Sequence, residues 1–205
     1  ILSFGLVGPT KGYELMLEAL PAVIAANPAV CYVIVGATHP DELEAEGESY
    51  RATLVARVKA LELGNHVRFV DEFAHRVAMT RWLQAADIVV TPYADLDQTV
   101  SGTLSYAMGA GRAIVSTPYA YAAELLADGR GVLVPKPSPS TFAAALNRVL
   151  GDDELRSALG RAAYDDSRRM VWSEVGAQYR ALFGRVGAAS MAAVAAPAGF
   201  TALNA

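Results

Sequence analysis

Six short runs of apolar, largely β-branched residues recur along the chain, and they constrain its fold more than any other feature of the sequence. Most of these runs are apolar throughout instead of alternating between apolar and polar residues. Continuous apolar runs are typical of strands that are covered on both faces in a parallel sheet. The runs are Leu2–Val7, Tyr32–Val35, Val67–Val70, Ile88–Val90, Ala113–Val115 and Val132–Val134.

Helical patterns fill most of the intervals between the runs. The segments Lys11–Ala26 and Tyr50–Leu63 carry apolar residues three and four positions apart, as one face of an amphipathic helix does. A strand followed by a helix, about five times over, predicts an α/β fold: a doubly wound, Rossmann-like parallel sheet of about six strands with helices on both faces. After Pro135 a C-terminal helical segment is predicted, with helices over Thr141–Leu150, Asp153–Tyr164 and Val171–Phe183 that begin near Ser140, Asp152 and Ser173.

Length and composition narrow the class of protein. The chain has 205 residues, of which 53% are hydrophobic and 19% charged, enough material for one sizeable core. The net charge of -4 provides no cationic field for a phosphate backbone, so we expect no nucleic acid partner. The single cysteine, Cys31, lies inside the apolar run Val30–Val35, and we expect a thiol that is buried like a small hydrophobe in a reducing compartment, hence a cytoplasmic location.

The two ends of the chain carry weaker signals. The sequence starts at Ile1 without an initiator Met or a signal-peptide pattern, and we expect it to be cut from a longer protein. Residues 186–205 are rich in Ala and interrupted by Pro197 and Gly199, which predicts a disordered tail and argues against a membrane span. We therefore predict one domain over residues 1–185, with membrane association only through the full-length protein.

Two loops that follow predicted strands have phosphate-binding character, and ligands of open parallel sheets bind beyond the carboxyl ends of the strands. Gly8–Gly12 (Gly-Pro-Thr-Lys-Gly) offers small residues, a possible cap in Thr10 and a positive charge in Lys11. An ordinary strand-to-helix turn with a surface lysine is the alternative for that loop. Gln98–Thr103 crowds hydroxyls and a glycine at the start of the helix Leu104–Gly109, which favours an anion site made of free amides over a simple cap.

Other polar clusters have simpler interpretations. The acidic run Asp41–Glu48 is predicted to be a solvated loop, because hard cations need oxygen ligands spaced around a turn. Asp95 and Asp97 are expected to bond their own backbone. His39 follows a strand end, where it either contacts a phosphate or sugar or is an exposed loop histidine. We expect no metal site.

Three motifs occur in a specific order: Val90–Tyr93, then Ser101–Thr117, then Glu124–Leu126 with Gly131–Pro135. Together they resemble the donor-binding half of family 4 (group 1) glycosyltransferases of the GT-B fold, and the likeness covers nearly everything from Ile1 to about residue 183. The resemblance implies a carboxyl-terminal domain that holds a UDP- or GDP-linked sugar for a retaining transfer, with no cofactor and no metal ion. It also implies a separate amino-terminal domain, absent here, that binds an acceptor of unknown identity.

The resemblance also assigns site residues. It implies catalytic roles for Lys11 and Gln98, and donor or diphosphate binding by Gly8, Lys11, Gly36, Ser101, Gly102, Thr103 and Tyr106.

Three positions depart from the family pattern. Gln98 and Tyr106 stand where the family has a pair of glutamates with seven residues between them, and Leu6 stands where it has an arginine. By resemblance, Gln98 would meet sugar hydroxyls and the phenol of Tyr106 the ribose. Lys11 is left as the cation of the first loop, so the diphosphate must depend on Lys11 and on the amides after Gln98.

Two alternatives stay open. One is a non-catalytic nucleotide-binding or protein-interaction module, in which the helical end over residues 141–183 docks a partner. The other, ranked last, is a GT-B epimerase or phosphorylase, for which the chain has no phosphorylase-like cofactor lysine. Paired carboxylates of the kind used by two-carboxylate hydrolases are not evident. Under the leading interpretation, we expect this chain alone to transfer no sugar.

Overall fold

Six parallel strands form one sheet in the order β3-β2-β1-β4-β5-β6, in a computed structural model that describes residues 1–195. The strands are β1 (Leu2–Phe4), β2 (Tyr32–Val35), β3 (Val67–Val70), β4 (Ile88–Thr91), β5 (Ala113–Ser116) and β6 (Val132–Leu133). The helices are α1 (Tyr13–Ala26), α2 (Pro40–Glu46), α3 (Ser49–Ala60), α4 (Arg76–Ala85), α5 (Gly102–Gly109), α6 (Ala120–Leu125), α7 (Pro139–Leu150), α8 (Asp153–Ser167) and α9 (Trp172–Ala195), with 3₁₀ turns at Pro9–Lys11 and Arg168–Met170.

The strand order reverses between β1 and β4, which lie side by side although two strands intervene in sequence. This is the order of a doubly wound sheet, so the predicted fold class is confirmed. A crevice opens at such a reversal, beyond the carboxyl ends of the two strands, and ligands of this fold class bind there.

Burial explains why the strands read as continuous apolar runs. Every residue of β4 and β5 is buried, because helices cover both faces of the sheet. Leu17 and Leu20 of α1 and Phe142 of α7 join the same apolar core. Each such side chain contributes about 1.5–3 kcal/mol relative to an exposed one.

The first strand is shorter than its apolar run predicts. It ends at Phe4 because Gly5 takes a positive φ of 121°, and Val7 pairs again only through a single bridge to Thr38. Two further expectations were wrong. Part of the acidic run is the helix α2, which the His39 side chain caps and whose first turn carries acidic residues favoured by the helix dipole. Cys31 is exposed, because β2 begins only at the next residue.

The three helices after β6 occur in the predicted order. The start of α8 is as predicted, and the starts of α7 and α9 are shifted. Asp152 accepts a hydrogen bond from the Leu155 amide at 2.8 Å, as expected of a cap. The N-cap of α7 is Ser138, two residues before the predicted cap Ser140, because Ser138 and Thr141 form a capping box around a proline at the first turn. Ser173 lies inside α9.

The described chain divides into a compact unit over Ile1–Ser167 and a second unit that begins at Arg168. In the second unit, a 3₁₀ turn leads into α9, where the rings of Tyr179 and Phe183 lie 5.9 Å apart. Helix α9 continues past the predicted boundary at residue 185, so the first part of the expected tail is helical, and residues 196–205 lie outside the described residues. Within residues 1–195, no helix is long and apolar enough to cross a lipid bilayer.

Candidate functional site

The start of α5 lies across the carboxyl end of β1, at the point where the strand order reverses. The Thr103 hydroxyl donates to the Phe4 carbonyl at 3.0 Å, and a Cβ atom on Gly5 would lie 3.3 Å from that hydroxyl. The Thr103 hydroxyl is thus engaged with the backbone of β1, and the predicted ligand contact of Thr103 depends on its amide.

Gly36, at the end of β2, reaches the same edge of the sheet. A Cβ atom at this position would lie 1.8 Å from the Gly5 carbonyl oxygen, so glycine is required for the close approach of the two backbones. The Gly36 carbonyl accepts a hydrogen bond from Arg51 at 2.7 Å. Backbone packing therefore explains why a glycine occupies position 36, without any contact to a ligand.

The first turn of α5 has the geometry of an anion site. Ser101 is the N-cap, and its hydroxyl accepts from the Leu104 amide at 3.2 Å. The amides of Gly102 and Thr103 have no acceptor among the residues that the structure describes. These amides stand at the positive end of the helix dipole, where an anion is bound favourably.

The first loop is fastened to the segment that follows β4. The Ala94 amide donates to the Thr10 carbonyl at 3.1 Å, and Gly12, with a φ of 63°, packs against the backbone of Pro92. Gly12 is the N-cap of α1, so the expectation that Thr10 caps this helix was wrong. Gly8 has an extended φ of -167°, which any residue adopts, and an added Cβ would be 3.6 Å from its nearest neighbour.

Lys11 connects the two loops through an aromatic ring. Its Nζ lies 4.3 Å from the centroid of the Tyr93 ring, within the range of a cation–π contact. The Tyr93 ring stacks on Tyr119 with centroids 4.9 Å apart, and its hydroxyl lies 3.5 Å from the hydroxyl of Ser101. One tyrosine thus stands between the lysine of the first loop and the cap of α5.

The two residues that replace the family glutamates are placed differently. The Gln98 side-chain amide donates to the Val100 carbonyl at 2.7 Å, and the Gln98 carbonyl accepts from the Tyr121 amide at 3.2 Å. Gln98 therefore shapes its own loop. Tyr106 lies on α5 with 52% of its surface exposed, which leaves its phenol open to a ligand.

His39 and the loop aspartates have structural partners. The Nδ1 atom of His39 accepts from the Asp41 amide at 3.3 Å, and this contact caps α2. The Asp97 amide donates to the Asp95 carboxylate at 3.0 Å, which is the local turn that the sequence predicted.

Two cavities bear on the choice of site. A pocket of about 150 Å³ lies beyond the ends of β1, β2 and β3, and its lining includes Leu6, Gly36, Phe73 and Met79. A larger cavity of about 600 Å³ lies at the amino ends of the strands. The charged side chain in the described lining is Asp87 for the larger cavity and Glu72 for the smaller pocket, so charge does not distinguish the two. The smaller pocket is the better candidate by position, because it lies at the carboxyl ends of the strands and reaches the start of α5 through Gly5.

Sequence reasoning missed three residues of this edge: Arg51, Tyr93 and Tyr119. The guanidinium of Arg51 binds the Gly36 carbonyl, the Thr38 hydroxyl and the carboxylate of Asp71. The two tyrosines had a signal, because the tripeptide Thr-Pro-Tyr occurs at residues 91–93 and again at residues 117–119.

The fold and the free helix amides define a Rossmann-like domain with a candidate anion site at its switch point. The chain belongs to the family described as glycosyl transferases group 1, whose model matches residues 1–166.

Individual relatives agree with this assignment. Phosphatidyl-myo-inositol mannosyltransferase of Mycolicibacterium smegmatis is 33% identical over 187 residues, which are 89% of this chain and 44% of that protein. D-inositol 3-phosphate glycosyltransferase of Jonesia denitrificans is 27% identical over 189 residues, which are 90% of this chain and 42% of that protein. The chain therefore spans less than half the length of these curated relatives.

Solved structures share the fold. The C-terminal domain of a glycosyl transferase group 1 family protein (LpcC) from Francisella tularensis matches with a TM-score of 0.67 at 24% identity, covering 80% of each chain. Anabaena HepE in complex with UDP matches with a TM-score of 0.77 at 21% identity, covering 90% of this chain and 48% of that one.

Proposed function

We propose that this chain is the donor-binding domain of a retaining glycosyltransferase that moves a sugar from a nucleotide-diphosphate sugar to an acceptor. The observation that carries the proposal is the placement of Lys11 and the free amides of Gly102 and Thr103 around one crevice of the sheet. A lysine and a helix amino terminus both bind phosphate groups well. The UDP and UDP-glucose complexes of Anabaena HepE, a protein of the same fold, support this type of ligand.

The proposed role of these groups follows from the charge that the reaction creates. When the bond between the anomeric carbon and the diphosphate oxygen breaks, negative charge grows on the departing diphosphate. Lys11 and the amides of Ser101, Gly102 and Thr103 would stabilise that charge from fixed positions, so little reorganisation is required. We propose that these groups make a divalent ion or other cofactor unnecessary.

The rest of the donor is assigned by position. We place the base in the pocket near Phe73 and Met79, since this pocket is largely apolar, with Glu72 as its charged residue, and adjoins the proposed anion site. We assign the ribose to the exposed Tyr106 phenol. We assign the sugar to Gln98, because its side-chain nitrogen makes the hydrogen bond to Val100 and its side-chain oxygen is available to sugar hydroxyls. The acceptor would bind to another part of the full-length protein, and we propose that this chain alone transfers no sugar.

A non-catalytic nucleotide-binding module is the second candidate function. The Gln98 hydrogen bond favours it, because the side-chain amide that replaces the family glutamate holds the Val100 carbonyl at 2.7 Å and is turned toward its own loop. Such a module would bind the nucleotide and its sugar conjugate with the same affinity, which separates it from a donor site.

The test is a thermal-shift and calorimetric titration of the chain with UDP, GDP and ADP, using Lys11→Ala and, as a matched control, Lys59→Ala on the exposed end of α3. Ligand at 100 times its Kd stabilises a protein by about 2.7 kcal/mol. We expect one nucleotide to bind selectively and Lys11→Ala to weaken it by about 10- to 150-fold, the size of one charge-assisted contact. We expect Lys59→Ala to bind like the wild type. A wild-type chain that binds none of the three nucleotides would contradict the proposal.

A further inference from the structure

Lys11 is held against the Tyr93 ring, a contact that the family assignment does not explain. We infer that Tyr93 is a positioning residue: its ring fixes the Lys11 ammonium at the diphosphate position and leaves the positive charge uncompensated. This inference rests on the proposed function, since it concerns the same anion site. Among residues 1–187, whose side chains the structure describes, no carboxylate lies within 4.0 Å of the Lys11 ammonium.

The distinction between a ring and a carboxylate matters for binding an anion. A carboxylate partner would also fix the ammonium, but it would neutralise the charge and occupy hydrogen-bond donors that the diphosphate needs. A ring face attracts the ammonium through its quadrupole and accepts no full hydrogen bond. Tyr93 therefore orders the long lysine side chain before the ligand arrives, which reduces the entropy lost on binding.

The ring itself is held rigidly. Tyr93 is 4% and Tyr119 0% exposed, and the planes of the two stacked rings differ by 21°. The two tyrosines end Thr-Pro-Tyr segments at the carboxyl ends of neighbouring strands, and because Thr91 pairs with Ser116, the second segment is offset by one residue from the first. The Thr117 hydroxyl donates to the Tyr93 carbonyl at 2.7 Å, which fixes the backbone of Tyr93 as well.

The test is a double-mutant cycle read out as the affinity for inorganic pyrophosphate and for UDP, GDP and ADP. The variants are Lys11→Met, Tyr93→Leu, their combination, and Tyr93→Phe, which keeps the ring and removes the hydroxyl near Ser101. We expect Tyr93→Leu to weaken binding by about 3- to 10-fold, the size of a cation–π contact, and Tyr93→Phe to stay within about twofold of the wild type. In the Lys11→Met background, Tyr93→Leu should have no further effect.

Each other outcome overturns the inference in a recognisable way. An equal loss of affinity from Tyr93→Leu with and without Lys11 would show that the ring only supports the fold. Tighter binding by Tyr93→Leu would show that the ring holds Lys11 away from the ligand. A wild-type chain that binds neither pyrophosphate nor any nucleotide would overturn the proposed function together with the inference. If Tyr93→Leu does not fold, Tyr93→Met takes its place in the cycle, because Met also lacks a ring and its unbranched side chain fills irregular space better.

Discussion

Gly12 and Pro92 are in direct backbone contact: a Cβ atom at position 12 would lie 2.0 Å from the Pro92 carbonyl oxygen. Gly12 directly follows Lys11, and Pro92 directly precedes Tyr93. The contact therefore fixes the lysine and the tyrosine relative to one another through the backbone, independently of their side chains. Because Gly12 also has a φ of 63°, two separate constraints require glycine here.

The substitution Gly12→Ala should therefore destabilise the protein and weaken its anion site. The Cβ atom meets backbone, which cannot rotate away, and left-handed φ adds strain, so we expect a loss of about 1–3 kcal/mol or more in the free energy of unfolding. Urea denaturation gives this free energy, and pyrophosphate titration gives the affinity.

Gly64→Ala is the matched control, because no atom lies within 4 Å of a Cβ atom there and its φ is not positive. It should change the free energy of unfolding by less than about 0.5 kcal/mol. Equal stability of the two variants would contradict the importance of the Gly12 contact.

The fold could be predicted because burial on both faces leaves a direct mark on composition. The strands Tyr32–Val35 and Val67–Val70 have the bounds that their apolar runs predict. The first strand was predicted too long, since Leu6 and Val7 are apolar but Gly5 turns the backbone. Apolar composition reports burial, and it carries no information on φ.

The candidate site could be predicted only in part. Both phosphate-type loops lie at the switch point, but the hydroxyl of Thr103 binds backbone and the partner of Lys11 is 82 residues away (93 − 11). A single sequence does not show which loops meet in space. Tyr93 and Tyr119 extend apolar strands, so their composition resembles core, and only the repeated Thr-Pro-Tyr tripeptide marks them as a pair.

Arg51 supports the ends of β2 and β3, and its removal should destabilise this edge of the sheet. Its side chain is 11% exposed and binds the Gly36 carbonyl, while its exposed partners Glu48 and Asp71 contribute less because of solvent screening. We expect Arg51→Met to lower the free energy of unfolding by about 1–3 kcal/mol, measured by urea denaturation.

The control lies on the same helix. Arg57 forms an exposed ion pair with Glu18, and Arg57→Met should lower the free energy of unfolding by about 1 kcal/mol or less. If the two arginine variants unfold at the same urea concentration, the contact with the Gly36 carbonyl is not what stabilises this edge.

Tyr119 has a buried hydroxyl without a hydrogen-bond partner among the described residues, although the hydroxyls of Thr91, Ser101 and Ser116 lie nearby. An unpaired buried hydroxyl costs about 1–3 kcal/mol. Tyr119→Phe keeps the ring that stacks on Tyr93, so at pH 7 we expect the free energy of unfolding to stay the same or to rise. A clear loss of stability would reveal a partner for the hydroxyl.

Alkaline pH should destabilise the wild type through its buried tyrosines, Tyr119 among them. Burial raises the pKa of Tyr119 to about 12, and it raises the pKa of Tyr13 and Tyr32 as well, from an ordinary value of 10. Between these values the unfolded chain loses protons that the folded protein keeps, so stability is complete below pH 10 and falls as the pH rises. Each tyrosine contributes a slope of about 1.4 kcal/mol per pH unit.

Urea midpoints between pH 8 and pH 11.5 would measure that loss. Tyr119→Phe has no phenol at position 119, so its free energy of unfolding should fall less steeply above pH 10 than that of the wild type. Parallel curves for the two proteins would mean that Tyr119 titrates normally in the folded state.

Gln98 decides between a sugar donor site and a site for the nucleotide alone. If its side-chain oxygen meets sugar hydroxyls, Gln98→Ala should weaken the nucleotide sugar by about 5- to 10-fold, the size of one neutral hydrogen bond, and leave the matching free nucleotide within about twofold. Calorimetry with UDP and UDP-glucose, or with GDP and GDP-mannose, measures both affinities, and Gln84→Ala on the exposed end of α4 is the control. An equal loss for nucleotide and nucleotide sugar would mean that Gln98 acts only through its hydrogen bond to the Val100 carbonyl, which shapes the loop in front of α5. In that case the non-catalytic module becomes the better description of this domain.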